Sequence, residues 1–204
     1  MSSRDKILAT IKKNQPDQRD LPAIAPPATS TPSDLSRQFI DVLEGIGGRA
    51  FIVSGFNRIA TILKEQYTNT HRIVSTCPEL SALAEISQNY EDPHTLENVE
   101  LAVLDAHFAV AENGACWITE EKMVERVLPF IAQNLALVIR KQDIVPTMYE
   151  AYERIAGAEY GFGAFIAGPS KTADIEQSLV LGAHGPKSMT VFLIDEEMSD
   201  AGFY

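Results

Sequence analysis

The sequence predicts an α/β fold with a largely parallel but mixed sheet flanked by helices, and three observations point to it. The chain has 204 residues, a length that suits one α/β domain or one such domain with a terminal appendage. Short apolar runs of strand length alternate with helical periodicity, and strand, helix, strand in succession implies parallel neighbours with both faces covered. The alternation breaks near Asn113-Gly114, where a turn dipeptide between two apolar pieces predicts a local antiparallel hairpin.

Taken in order, Ile7, Leu8 and Ile11 share one face of a short helix over 3–13, whose core must come from elsewhere. From Asn14 to Ser33 five of the eleven prolines sit among Ser, Thr and Ala without helical or strand period. That composition reads as a linker or wrapping arm. Residues 1–33 carry five bases against three acids, net +2, so the overall charge of -11 leaves -13 for the rest. The arm is suited to dock on the acidic body of its own chain or of a neighbouring copy, which allows a homo-oligomer. The expected organisation is an N-terminal helix and Pro-rich arm over 1–33 and one domain over 34–204.

After Ser33, Leu35, Phe39, Val42, Leu43 and Ile46 form a helical stripe, with Ser33 or Asp34 as cap and Gly47 as stop. Strands are expected over 50–53, 72–74, 101–104, 135–139, 164–167 and 190–194. Helices are expected over 58–66, 79–88, 121–127, 146–156 and 172–181.

Composition excludes several classes. The acidic balance repels a polyanion, so nucleic acid is a poor partner. The longest apolar runs fall far short of the roughly 20 residues that cross a bilayer, so no membrane span is expected. The N-terminus lacks the apolar core and cleavage site of a secretory signal, and a cytoplasmic location is the expectation. Cys77 and Cys116 lack Cys-x-x-Cys spacing, so one chain assembles neither a disulfide scaffold nor a thiolate cage. No cofactor is expected in this chain, and any iron-sulfur chemistry belongs to another subunit. His71, His94 and His107 carry no metal spacing.

The richest stretch is residues 162–194. A strand runs into Gly168-Pro169-Ser170, a helix is expected from Lys171 or Thr172, and a second turn, Gly182 to Lys187, feeds the last strand. A helix N-terminus beyond a strand end offers free amides to an anion, and Ser170, Lys171 and Thr172 would add donors. The plainer reading makes Ser170 or Thr172 an N-cap and the glycines turn residues. Asp174 and Glu176 already satisfy a helix dipole, so they would orient the loop or meet a cation. Gly182 to Ser188 is no P-loop, since Pro186 stands where a glycine is needed. Ser170, His184 and Asp174 make a triad only on paper, without Gly-x-Ser-x-Gly. Glu112, beside the Asn113-Gly114 turn, is the second candidate, as nucleophile or base if buried and as a solvated tip otherwise.

Together, GPSKTADIE (168–176), LVLGAHGPK (179–187) and AENGA (111–115) resemble the signature of the LUD domain, the LutC/YkgG family of lactate utilization protein C. The resemblance spans roughly 34–195, and the N-terminal helix and arm are in keeping with it. It implies a fold similar to the NagB/RpiA/CoA transferase-like group. It also implies action with iron-sulfur partner proteins in oxidising L-lactate to pyruvate. Carried over by position, the motif residues are Gly168, Pro169, Ser170, Thr172, Ala173, Asp174, Ile175, Glu176, Gly182, His184, Gly185 and Pro186, with Glu112 and Gly114 from the middle motif. The ligand expected at the two loops is a small carboxylate or phosphate held by Gly168, Ser170, Lys171, Thr172, Asp174, Glu176, His184, Gly185 and Lys187. Glu112 and His184 are the catalytic candidates. Asn113 departs from the family's threonine. Glu-Asn-Gly also resembles the nucleophile motif of class I CoA transferases, so an alternative expectation is an enzyme in which Glu112 forms an acyl-CoA anhydride.

Overall fold

The computed structural model describes residues 2–17, 19–20, 34–88, 90–175 and 178–198. Most of the proline-rich arm, and Glu176, lie outside them. Helix α1 (Ser3–Lys13) begins with a capping box in which the side chains of Ser2 and Asp5 each accept the other's backbone amide. Its Ile7, Leu8 and Ile11 are exposed, and none of its residues is buried among the described residues. Helix α2 (Leu35–Gly45) starts at Asp34, whose carboxylate accepts the Arg37 amide, and buries Phe39 and Leu43. Then come β1 (Arg49–Val53), α3 (Phe56–Gln66), β2 (Ile73–Ser75), β3 (Glu85–Ile86) and β4 (Leu101–Asp105). The next elements are β5 (Phe108–Val110), β6 (Ala115–Thr119), α4 (Glu120–Met123), α5 (Leu128–Ile131), β7 (Asn134–Arg140) and β8 (Ile144–Val145). Last are α6 (Met148–Ile155), β9 (Gly163–Ile166), β10 (Lys171–Ile175), β11 (Ser178–Leu181) and β12 (Ser188–Ile194).

Six strands form one sheet in the order β1-β12-β7-β4-β2-β3, and its pairings are parallel. The two-residue period of a strand divides its side chains between two cores. Along β7, Leu135, Leu137 and Ile139 join Phe39 and Leu43 of α2 on one face. Ala136 and Val138 join Ile59, Ile62 and Leu63 of α3 on the other. Burying one such Leu or Ile contributes roughly 1.5–3 kcal/mol, against about 0–1 kcal/mol for an exposed ion pair. The two apolar layers therefore hold the fold.

The second sheet, β8-β5-β6-β9, contains the hairpin expected at Asn113-Gly114, with β5 and β6 antiparallel. Cys116 and Ile118 face the α2 core, whereas Phe108, Val110 and Trp117 face Ala151 of α6. The strand expected over 164–167 belongs to this sheet and pairs antiparallel with β6.

Two expected helices are corrected. Residues 79–88 hold a single 3-10 turn, Pro78–Leu80, and then β3, because Ile86 is drawn to the sheet edge opposite Ser75. Residues 171–175 and 178–181 pair as antiparallel strands, with Lys171 opposite Leu181 and Thr172 opposite Val180. Both ends of that segment are tied together, since the Gly182 amide donates to the Ser170 carbonyl at 3.1 Å. A ten-residue helix would hold its ends about 15 Å apart, while a hairpin returns them to one place. The β-branched Thr172, Ile175 and Val180 suit strands. The helix expected over 121–127 shrinks to α4, followed by α5 with Pro129 in its first turn. No helix of the described residues is long and apolar enough to cross a membrane.

Candidate functional site

The two glycine turns singled out by the sequence meet. The Ser170 amide donates to the Pro186 carbonyl at 2.9 Å. A Cβ added to Gly185 would stand 3.2 Å from the Ser170 Cβ, so the two loops touch backbone to side chain. Their place in the sheet differs from the expectation. Lys187 donates its amide to Gln133 at 2.9 Å, immediately before β7, and its ammonium lies 3.6 Å from Glu100, immediately before β4. The turn itself leads into the first residue of β12. The clasp thus sits at the amino edge of the parallel strands, opposite the carboxyl edge where open α/β sheets bind ligands.

With β10 in place of a helix, no helix dipole or row of free helical amides is present at Ser170 to attract an anion. The Ser170 amide is engaged by Pro186, and the Lys171 ammonium donates to the Ile46 carbonyl. Ser170 and Thr172 are half-buried, while His184 and Lys187 are exposed. Asp174 lies on β10.

Packing accounts for the motif glycines. Gly168 has φ +70°, and a Cβ there would stand 3.1 Å from the Ile46 carbonyl oxygen. Gly114 has φ +69°, and its Cβ would meet the Leu43 backbone at 3.2 Å. Both need the left-handed region, and both let a loop close on the end of α2. Glu112 is exposed beside this turn. Its carboxylate accepts the Met148 amide at the start of α6 at 2.8 Å, and its own amide donates to Pro146 at 3.0 Å. A carboxylate at a helix N-terminus satisfies an orphan donor, which gives a structural reason for a glutamate here.

Two of the cavities among the described residues lie against the sheets, away from the clasp. The larger, about 320 Å³, is lined by His107, Trp117, Glu121, Arg154 and Tyr160 among others. His107 Nε2 is 2.7 Å from Thr119 Oγ1. Burial, and then the Lys122 charge, hold the imidazole below its ordinary value, so it stays neutral at neutral pH. The Arg154 guanidinium stacks 4.9 Å from the Phe108 ring and pairs with Asp143 at 2.8 Å. The smaller cavity, about 210 Å³, opens at the carboxyl ends of β2, β4, β7 and β12 and is lined by Phe56, Thr76, Cys77, Glu79, Asp105 and Arg140 among others. Asp105 is paired with the Lys122 ammonium. Its amide donates to Thr76 Oγ1 at 3.2 Å, which ties β4 to the loop after β2.

Cys77 is buried, and burial pushes its thiol up to about 12, which leaves it a protonated, poor nucleophile. Burial also pushes the Cys116 thiol up. Among the described residues no cluster of His, Cys, Asp or Glu is placed to hold a metal ion.

Thr76, Asp105, Lys122 and Arg140 escaped the sequence reading. A signal was present: Leu101–Asp105 and Asn134–Arg140 are apolar strands that end on a charged side chain. In a parallel sheet such a residue stands at the ligand-binding edge.

Comparison with known proteins places these features in a family. The LUD domain model matches residues 87–194, just over half of the chain, and takes in the hairpin turn and both loops of the clasp. Lactate utilization protein C of Bacillus pumilus is 34% identical over 113 residues, 50% of this chain and 47% of that protein. The chain spans about half the length of the first such relatives that it matches. The uncharacterized protein YkgG of Escherichia coli is 23% identical over 163 residues, 77% of this chain and 68% of that protein. The crystal structure of a DUF162 family protein from Deinococcus radiodurans has the same fold, with TM-score 0.59 at 18% identity over 79% of this chain and 96% of the other. By the family model's match, the chain belongs to the LUD domain family.

Proposed function

We propose that this chain serves lactate utilization as a subunit without clusters, acting in the cytoplasm beside iron-sulfur proteins that take the electrons when L-lactate becomes pyruvate. The observation that carries this reading is the LUD domain match, supported by the 34% identical relative named lactate utilization protein C. The cysteines add support. Cys77 and Cys116 are separately buried, and two cysteines fall short of the four thiolates that usually hold a cluster.

An anion at the clasp would rest on the exposed His184 and would compete with Glu100, 3.6 Å away, for the Lys187 ammonium, because the Ser170 amide and the Lys171 ammonium are already engaged. The deciding experiment is affinity purification of the tagged chain from source cells grown on L-lactate. Co-purification of iron-sulfur proteins is expected. Recovery of the chain without them under those conditions would sink the reading. Replacing His184 and Lys187 together by alanine tests the clasp: lost lactate-dependent growth with an intact complex supports an anion there, and unchanged growth removes it.

A further inference from the structure

We propose that the larger cavity, between the open end of the β5-β6 hairpin and the last turn of α6, is a binding site for a small organic cation, an ammonium carried on an apolar body. Its volume of about 320 Å³ stands at the lower end of the roughly 300–1,000 Å³ of small-molecule pockets. The aromatic part of the lining comes from the second sheet and the loop after α6. Phe108 of β5 and Trp117 of β6 are buried, and Tyr160 is exposed. The Trp117 and Tyr160 rings meet edge to face at 5.4 Å. Gly163 on β9 makes room for the indole, since a Cβ there would collide with the ring. Trp117 is 6% exposed, and its indole N–H makes no hydrogen bond with the described residues, which leaves a donor for a ligand oxygen.

The charges select the sign of the ligand. Three carboxylates and one guanidinium stand on the lining. Glu120 is taken up by Arg126 and by the Gly161 amide at 2.7 Å. The Arg154 charge opposes a cation, but it is offset by Asp143 at 2.8 Å and lies over the Phe108 ring. Glu121 and Glu159 remain, and neither forms an ion pair with the described residues. His107, on the same lining, is held neutral by burial and adds no positive charge at neutral pH. Two uncompensated carboxylates repel an anion. Set beside aromatic rings, they suit a cation whose alkyl groups cover those rings. The site rests on this geometry and not on the lactate-utilization reading, so the purification experiment and the one below fail independently.

Trp117 is the chain's single tryptophan, so intrinsic fluorescence reads this cavity. The probes are choline chloride, its neutral isostere 3,3-dimethylbutan-1-ol and, for ionic strength, potassium chloride, each titrated into the full chain. A saturable change with choline is expected, with the neutral alcohol bound about fivefold or more weakly and potassium without effect. Replacing Glu121 and Glu159 together by glutamine should weaken choline about fivefold or more and leave the alcohol unchanged. Tyr160→Ala, which keeps both carboxylates, should weaken choline about threefold. These three side chains are exposed, and a thermal melt of each variant checks the fold. No saturable response to choline, an equal response to potassium, or unchanged choline affinity in the folded double variant would overturn the assignment. Equal or tighter binding of the neutral alcohol would overturn the ligand class.

Discussion

The Ser170 amide donates to the Pro186 carbonyl at 2.9 Å, and this one bond joins two sequence motifs that lie on either side of a hairpin. It turns GPSK and HGPK into a single clasp at the amino edge of the parallel sheet. An arrangement held by its own backbone donors has fewer to offer a ligand.

Gly168 is a part of the clasp that resists change. Alanine there must adopt φ near +70° and press its Cβ to about 3.1 Å from the Ile46 carbonyl oxygen. The backbone strain alone costs roughly 1–2 kcal/mol, and the contact adds to it. Gly168→Ala should lower stability by about 2 kcal/mol or more, read as a lower midpoint in urea unfolding. An unchanged midpoint would mean that the loop has another way to close.

Asn134 fastens the amino ends of three strands. Its amide nitrogen donates to the Glu100 carbonyl and carboxylate, both at 2.9 Å, and its oxygen accepts the Ser188 hydroxyl at 2.6 Å. The residue is 6% exposed. Asn134→Leu strands those partners and should cost about 2–4 kcal/mol, against about 1 kcal/mol for Ser188→Ala. Equal losses in denaturant titrations would argue against the shared network.

His107 predicts a pH dependence whose sign is set by its lowered value. The unfolded imidazole protonates near 6.5, before the folded one, which burial and Lys122 keep neutral. The unfolded state therefore gains protons first as the pH drops. The contribution is complete above the unfolded value and is lost as the pH falls through the folded value. Wild-type unfolding midpoints from about pH 7.5 to about pH 5.5 should fall more steeply than those of His107→Gln. Parallel curves would refute the neutral assignment.

Both thiols should resist modification in the native state. Cys77 and Cys116 are buried, and the Cys77 thiol stands at about 12. Alkylation followed by mass spectrometry should show little reaction until denaturant unfolds the chain. Rapid labelling of the folded protein would show that one of the two lies open.

Chain-local information sufficed for much of the architecture. The apolar runs that became β4, β7 and β12 are continuous because both faces of a parallel strand are covered. Asn113-Gly114 produced its hairpin because the turn needs a residue that accepts a positive φ, which Gly114 supplies. Asp34 became a cap because its short carboxylate reaches the Arg37 amide.

Only the assembled structure decided that residues 171–175 and 178–181 pair as strands, since Ile175 and Leu179 also fit helical spacing and the bond that ties their ends runs from Gly182 to Ser170, outside the strands. The same holds for the edge on which the motifs lie and for the meeting of Thr76, Asp105 and Arg140 around one cavity. Periodicity reports which face of its own element a residue shares. Which distant element meets that face depends on hydrogen bonds and packing between segments far apart in the chain, and no local pattern encodes them.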